Sequence, residues 1–248
     1  MNNIRKNQHT IYGINGSASV LTSRKYKIID IFIQSGSPAE RDGTITQALK
    51  YHSGNINFIK PAHFKAKFGK WRSQGIVVIF SGQIEQPIPS FKSKSGNIGL
   101  LVLDRLEDPQ NLGQIIRTAE CAGISGIIIP KHESCGITDT VIQVSQGAFT
   151  QMPIYQVSNL HQTISNLKDE DFWVIAMENS LKAKEWYKVD YLGKILIIVG
   201  SEGRGIKKLL LDKSDFKATI PMEGKTNSLN VSAAVSAVIF ERLRQISI

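Results

Sequence analysis

Two hydrophobic periodicities alternate along this chain. Short runs of isoleucine, valine and leucine are followed by stretches whose apolar positions recur every three or four residues. In the second half the runs predict strands at 99–104, 126–130, 172–177, 194–199 and 217–220. The stretches between and after them predict helices at 111–122, 139–146, 159–167, 205–211 and 228–245. A strand such as Ile195-Leu196-Ile197-Ile198-Val199 has no polar face. It is predicted to be buried on both sides, in a mostly parallel sheet with helices on both faces.

The first half shows the same alternation on a smaller scale. Strands are predicted at 28–33, 56–59 and 75–80, and helices at 44–51 and 61–68, the last opening with Pro61 in its first turn. Between the halves, residues 87–97 are rich in Pro, Ser, Lys and Gly and read as a connecting segment. The reading is α/β throughout: a small α/β domain over 1–92, a linker over 93–98 and a larger domain over 99–248.

Three polar, glycine-containing segments stand where predicted strands end and helices begin. They are Asp108-Pro109-Gln110-Asn111-Leu112-Gly113 with Arg117, then Gly200-Ser201-Glu202-Gly203-Arg204-Gly205, then Ser228-Leu229-Asn230-Val231-Ser232. In an open α/β sheet ligands bind at the carboxyl ends of strands, so the three loops predict one composite site. Leu112, Ile115, Ile116, Ala119 and Ala122 share one helix face, which puts Arg117 on the other. Asn111, Ser228 and Asn230 stand at helix starts, where their side chains can also act simply as caps. Glu202 follows a buried strand and is read as lying near the N-terminus of the next helix, where the dipole favours a carboxylate. The glycine spacing is neither the dinucleotide fingerprint nor the phosphate loop.

Charge changes the picture of the first half. Of the net +9, residues 1–95 carry 14 Lys+Arg against 4 Asp+Glu, while residues 96–248 carry 16 against 17. A basic first half predicts a polyanionic partner, RNA above others. Arg24, Lys25, Lys65, Lys67, Lys70 and Arg72 are the candidate phosphate contacts, with Trp71 interleaved. Phe64 and Phe68 are read as core beneath them. Cys121 and Cys135 lack metal-ligand spacing and are read as small buried residues of a reducing cytoplasm. No run of about 18 apolar residues predicts a membrane span, and residues 1–7 lack the apolar region of a secretory signal. His9, His52, His63, His132 and His161 all fall outside the three segments, and no metal cluster is evident.

The segments Asn111-x-Gly113-x-x-x-Arg117, Val199-Gly200-Ser201-Glu202-Gly203-x-Gly205 and Ser228-Leu229-Asn230-Val231-Ser232, in this order, resemble the SpoU (TrmH-type) RNA ribose 2′-O-methyltransferases of the SPOUT superfamily. The resemblance covers about 99–245. More weakly, the first 90 residues resemble the ribosomal-protein-like RNA-binding domain that precedes many such catalytic domains, through Tyr12-Gly13-Ile14-Asn15 and Ser73-Gln74-Gly75-Ile76. The resemblance implies a C-terminal trefoil knot, a homodimer and S-adenosylmethionine as cofactor. It implies catalytic roles for Arg117, Asn111, Glu202, Ser228 and Asn230, and cofactor contacts from the backbone around Met177, Gly200, Ile220 and Leu229. It favours large-subunit ribosomal RNA as substrate. A tRNA ribose methyltransferase and a non-catalytic RNA-binding homologue are the alternatives. Arg117 would either take the ribose hydroxyl proton or stay charged and align phosphate and alkoxide. The first role must overcome a cost of about 6 kcal/mol for a neutral arginine near pH 8.

Overall fold

The apolar runs form strands and the periodic stretches form helices, with several elements that the pattern alone does not reveal. The computed structural model describes residues 7–52, 55–180 and 183–248. The first elements are β1 (Gln8–Tyr12), α1 (Ile14–Ser23), β2 (Lys27–Gln34), α2 (Pro38–Arg41), α3 (Gly43–Leu49), β3 (Asn55–Ile59), α4 (Pro61–Phe68) and β4 (Ile76–Ser81). There follow β5 (Glu85–Gln86), β6 (Ile98–Asp104), α5 (Pro109–Cys121), β7 (Gly126–Pro130), α6 (Asp139–Val144), β8 (Ile154–Val157) and α7 (Leu160–Lys168). The last are β9 (Trp173–Met177), β10 (Lys184–Glu185), β11 (Lys194–Gly200), α8 (Lys208–Leu211), β12 (Phe216–Thr219) and α9 (Val231–Ile246).

These elements gather into two units. One contains the chain up to Ile84 together with Ile137–Gln151; the other contains Glu85–Gly136 and Met152–Ile248. In the first unit the sheet order is β1-β4-β2-β3, antiparallel except for the β2–β3 pair. Phe32, Phe64, Phe68 and Val77 form one buried cluster, so Phe64 and Phe68 are core as expected. Helix α6, read from sequence as part of the larger domain, belongs to this unit. Its Gln143 amide accepts from the Tyr12 N–H and donates to the Tyr12 carbonyl, both at 3.0 Å. One side chain thus serves the exposed edge of β1 as a neighbouring strand would. Linear periodicity carries no trace of such a contact.

In the second unit eight strands run in the order β10-β12-β9-β11-β6-β7-β8-β5, and every described pairing is parallel. All seven residues of β6 are buried, as its unbroken apolar run requires. The stretch read as a linker is fastened to this unit. Phe91 is 2% exposed, its N–H donates to Glu170 Oε2 at 2.5 Å, and Lys194 Nζ donates to its carbonyl. Asn97 Oδ1 accepts from Gly193 N–H.

Three further expectations need correction. Cys121 is exposed and Cys135 half-buried, because α5 turns its Cys121 side away from the sheet. Helix α9 begins at Val231, three residues later than read, with Asn230 as its cap. The expected apolar stripe of α9 also contains a fully buried arginine, Arg242, while Leu243 is only half-buried. Arg242 fits because Gly99 lies opposite: a Cβ there would stand 2.5 Å from Nε.

Candidate functional site

The three polar segments meet at the amino end of α9. Asn230 Nδ2 donates to Asn111 Oδ1 at 2.9 Å and to Glu202 Oε1 at 3.0 Å. The same Glu202 oxygen accepts from the Val231 N–H, the first of α9, at 3.1 Å. The carboxylate therefore sits at a helix N-terminus, where the macrodipole favours it. The helix is α9, however, and not α8, which follows Glu202 in sequence and starts only at Lys208. Asn230 Oδ1 accepts from the Ser232 N–H at 2.9 Å, so one residue both caps the helix and joins the two other segments.

Two residues to which the sequence reading gave no role of their own complete this network. Ser232 Oγ lies 2.6 Å from Asn230 Oδ1 and 2.8 Å from Gln114 Oε1. With a single hydroxyl proton, Ser232 shares it between the two oxygens. Gln114 follows Asn111 by three residues on α5, and that spacing puts both on one flank.

Beside the network lies a cavity of about 380 Å³. Met177, Gly200, Ile220 and Leu229, the four expected cofactor contacts, all line it, and so do Glu202 and Ser228. The size suits a nucleoside-bearing ligand. Apolar Val199, Ile220, Val231 and Ala234 offer faces to a flat ring. Ser201 Oγ, whose residue also lines the cavity, is buried without a partner among the described residues and offers a free polar contact. Gly200 is indispensable here: a Cβ would lie 2.1 Å from the Gly205 carbonyl carbon. Asn179 and Asn227 also line the cavity, and Asn179 Nδ2 donates to the Asn227 carbonyl at 3.2 Å.

Arg117 is not part of this cluster within one chain. It lies on the exposed side of α5, as its helix position predicts, and makes no hydrogen bond or ion pair among the described residues. Ser228 lines the cavity but caps no helix.

In the first unit the candidate RNA contacts are all exposed, but three are engaged. The Arg24 guanidinium lies 5.2 Å from the centre of the Tyr51 ring, and Lys67 Nζ 3.9 Å from that of Phe32. Lys25 Nζ donates to the Thr150 carbonyl at 2.6 Å. Lys65, Lys70 and Arg72 carry no side-chain partner among the described residues. Trp71 stacks on Tyr12 at 5.0 Å, with 2° between the planes. No group of three or more His, Cys, Asp or Glu among the described residues could hold a metal, and no described helix is long and apolar enough to cross a membrane.

Known proteins resemble this chain in sequence and in fold. The SpoU rRNA Methylase family pattern matches residues 99–240. The 23S rRNA (guanosine-2′-O-)-methyltransferase RlmB of Shewanella oneidensis is 32% identical over 243 residues, 97% of this chain and 98% of that one. A Staphylococcus aureus (strain COL) protein assigned to the TrmH family of tRNA/rRNA methyltransferases is 40% identical over 176 residues, 69% of this chain and 71% of that one. Among solved structures, the SpoU methyltransferase AviRb from Streptomyces viridochromogenes superposes with a TM-score of 0.78 at 16% identity, covering 97% of this chain and 91% of that one.

Proposed function

The chain belongs to the SpoU rRNA Methylase family, and on that footing we propose that it methylates a ribose 2′-hydroxyl of large-subunit ribosomal RNA. S-adenosylmethionine is the methyl donor and supplies a methyl group already activated on a sulfonium. The observation that carries the reading is the joining of Asn111, Glu202 and Asn230 at the rim of a nucleoside-sized cavity. The ribosomal substrate is supported by a relative that matches the chain almost end to end and is named for 23S rRNA.

The chain's own groups divide the work. Met177, Gly200, Ile220 and Leu229 hold the adenosine part of the donor. Glu202 Oε1 is occupied by Asn230 and Val231, which fixes the carboxylate and leaves Oε2 without a partner among the described residues. Ser228 and Asn111 would place the ribose 2′-hydroxyl where its oxygen can take the activated methyl, its proton passing to solvent. Arg117 acts as a charged aligner: an exposed guanidinium offers its donors to phosphate and to developing alkoxide. Since it stands apart from the cluster of its own chain, it serves the site of a second copy in a homodimer. The knotted threading of the C-terminal segment belongs to the same proposal, as does cytoplasmic work on ribosomal RNA. The basic first unit contributes RNA affinity through Arg24, Lys25, Lys65, Lys67, Lys70 and Arg72.

Mass-spectrometric mapping of 2′-O-methylated nucleotides in a strain lacking this gene tests the substrate. One 23S rRNA mark disappears and returns with the parent gene but not with Asn230→Ala. Loss of a tRNA mark instead would refute the ribosomal assignment.

A further inference from the structure

The carboxyl edge of the parallel sheet carries three cavities in strand order. The large one is walled by residues at the ends of β9, β11 and β12. Next comes a cleft of about 180 Å³ that shares Ser201 and Glu202 with it and adds Asn111, Arg105 and Arg204. The third, of about 270 Å³, opens at the ends of β6, β7 and β8, where Asp104, Pro130 and Ser158 line it. Its centre lies about 7 Å along the sheet from the β11–β6 boundary, at ~4.8 Å per strand.

The third cavity has a distinctive donor balance. Asp104 is 1% exposed; its Oδ2 accepts from the Lys207 N–H at 2.8 Å, but Oδ1 has no partner among the described residues. A buried acceptor without a donor is costly, so the ligand that suits this site brings N–H groups. A second carboxylate, Glu133, accepts from Lys207 Nζ, and that bond holds it below the ordinary carboxylate range. His132 and His161 line the same space, and their rings have no hydrogen-bond partner among the described residues. Leu160, Pro130 and the 59% exposed Leu209 supply apolar faces. Asp104 Oδ2 is also paired with Arg105 Nε at 3.5 Å and Glu133 with Lys207, so Asp104 Oδ1 is the acceptor left open to a donor. A flat ring with adjacent N–H donors on one edge fits, and among the RNA bases guanine has that edge, its ring N–H standing beside its exocyclic amine.

We propose that this cavity takes a guanine base of the RNA substrate, reading its donor edge on carboxylate oxygens and its faces on Leu209 and the two imidazoles. The assignment rests on the RNA methyltransferase reading above. It makes Asp104 and Glu133 specificity-determining residues of that same substrate edge.

The test is an NMR titration of the full chain with GMP, IMP and AMP, following the ring Cε1–H signals of His132 and His161. His132→Gln and His161→Gln assign those signals. GMP should shift both saturably, at least fivefold more tightly than IMP, which lacks the amine, or AMP, whose edge differs. Glu133→Gln should weaken GMP about fivefold with its melting temperature unchanged. Absence of shifts with GMP, or equal affinity for AMP, would overturn the guanine site. Calorimetry with S-adenosylmethionine on the same sample separates the two readings. Cofactor binding without GMP binding sinks the guanine site alone, and GMP binding without cofactor binding sinks the methyltransferase reading.

Discussion

Asn230 and Glu202, 28 residues apart, are joined by a 3.0 Å hydrogen bond from the asparagine amide to the carboxylate. The other amide hydrogen goes to Asn111 Oδ1, and the asparagine oxygen caps α9. Asn230 is therefore the hinge pin of the site, holding three distant segments in one geometry.

Asn230→Ala should show both roles. Loss of the cap costs about 1 kcal/mol, visible as a lower melting temperature. Turnover should fall by about 100-fold or more, since Glu202 and Asn111 lose their common partner. Single-turnover assays beside thermal melts check the two together. A variant that melts lower but turns over normally would reduce Asn230 to a cap.

Arg117→Ala should behave in the opposite manner. With no partner in its own chain, Arg117 contributes within about 0.5 kcal/mol to stability. Methyl transfer should nonetheless be abolished. If a second copy receives this residue, co-expression of Arg117→Ala with Asn230→Ala restores part of the activity, because one site of the mixed dimer keeps both groups. Two inactive homodimers that stay inactive when mixed would refute the shared site.

Gly200→Ala probes the cavity wall. The added methyl would lie 2.3 Å from the Gly205 carbonyl oxygen, so the turn must move. Overpacking of this kind costs about 1–3 kcal/mol, and cofactor affinity should drop about tenfold or more by calorimetry. Unchanged affinity would place the cofactor elsewhere.

Most of the second unit was legible because its strands are apolar on both faces and its helices on one. The parallel sheet, the meeting of three loops and the exposure of Arg117 follow from those patterns. What escaped depends on contacts between residues far apart. Gln143 lends an edge to β1, 131 residues away, and so draws α6 into the first unit. Arg242 lies buried where an apolar residue is expected because Gly99 leaves room for it. Ser232 was read only as the end of its segment, and Gln114 not at all, because their hydroxyl–amide pairing appears only once α5 packs on α9.

The basic unit should govern salt dependence. Replacing Lys65, Lys70 and Arg72 by alanine should lower the slope of log K against log salt by about 2–3, at ~0.9 for each phosphate no longer neutralised. Filter binding of ribosomal RNA over a salt series reads this directly. An unchanged slope would remove these three side chains from the RNA surface.

Alkaline stability offers an independent check on the burial of Tyr191. The Tyr191 phenol is fully buried and donates to the Trp186 carbonyl at 2.9 Å, and burial pushes its pKa well above the ordinary tyrosine value. The unfolded chain therefore releases this proton first, so stability falls as pH rises beyond about 10. Tyr191→Phe should cost about 1 kcal/mol at neutral pH and make the alkaline decline shallower. An equally steep decline in the variant would contradict the assignment.

One pocket bringing a methyl donor to a ribose oxygen is the claim on which the rest depends. Incubating 23S rRNA from the deletion strain with purified protein and methyl-deuterated S-adenosylmethionine, then analysing the nucleosides by mass spectrometry, tests it most directly. The expected result is one labelled 2′-O-methylnucleoside, absent with Asn230→Ala and with Arg117→Ala. Label on a base, or no label at all from a protein that binds the donor, would contradict it.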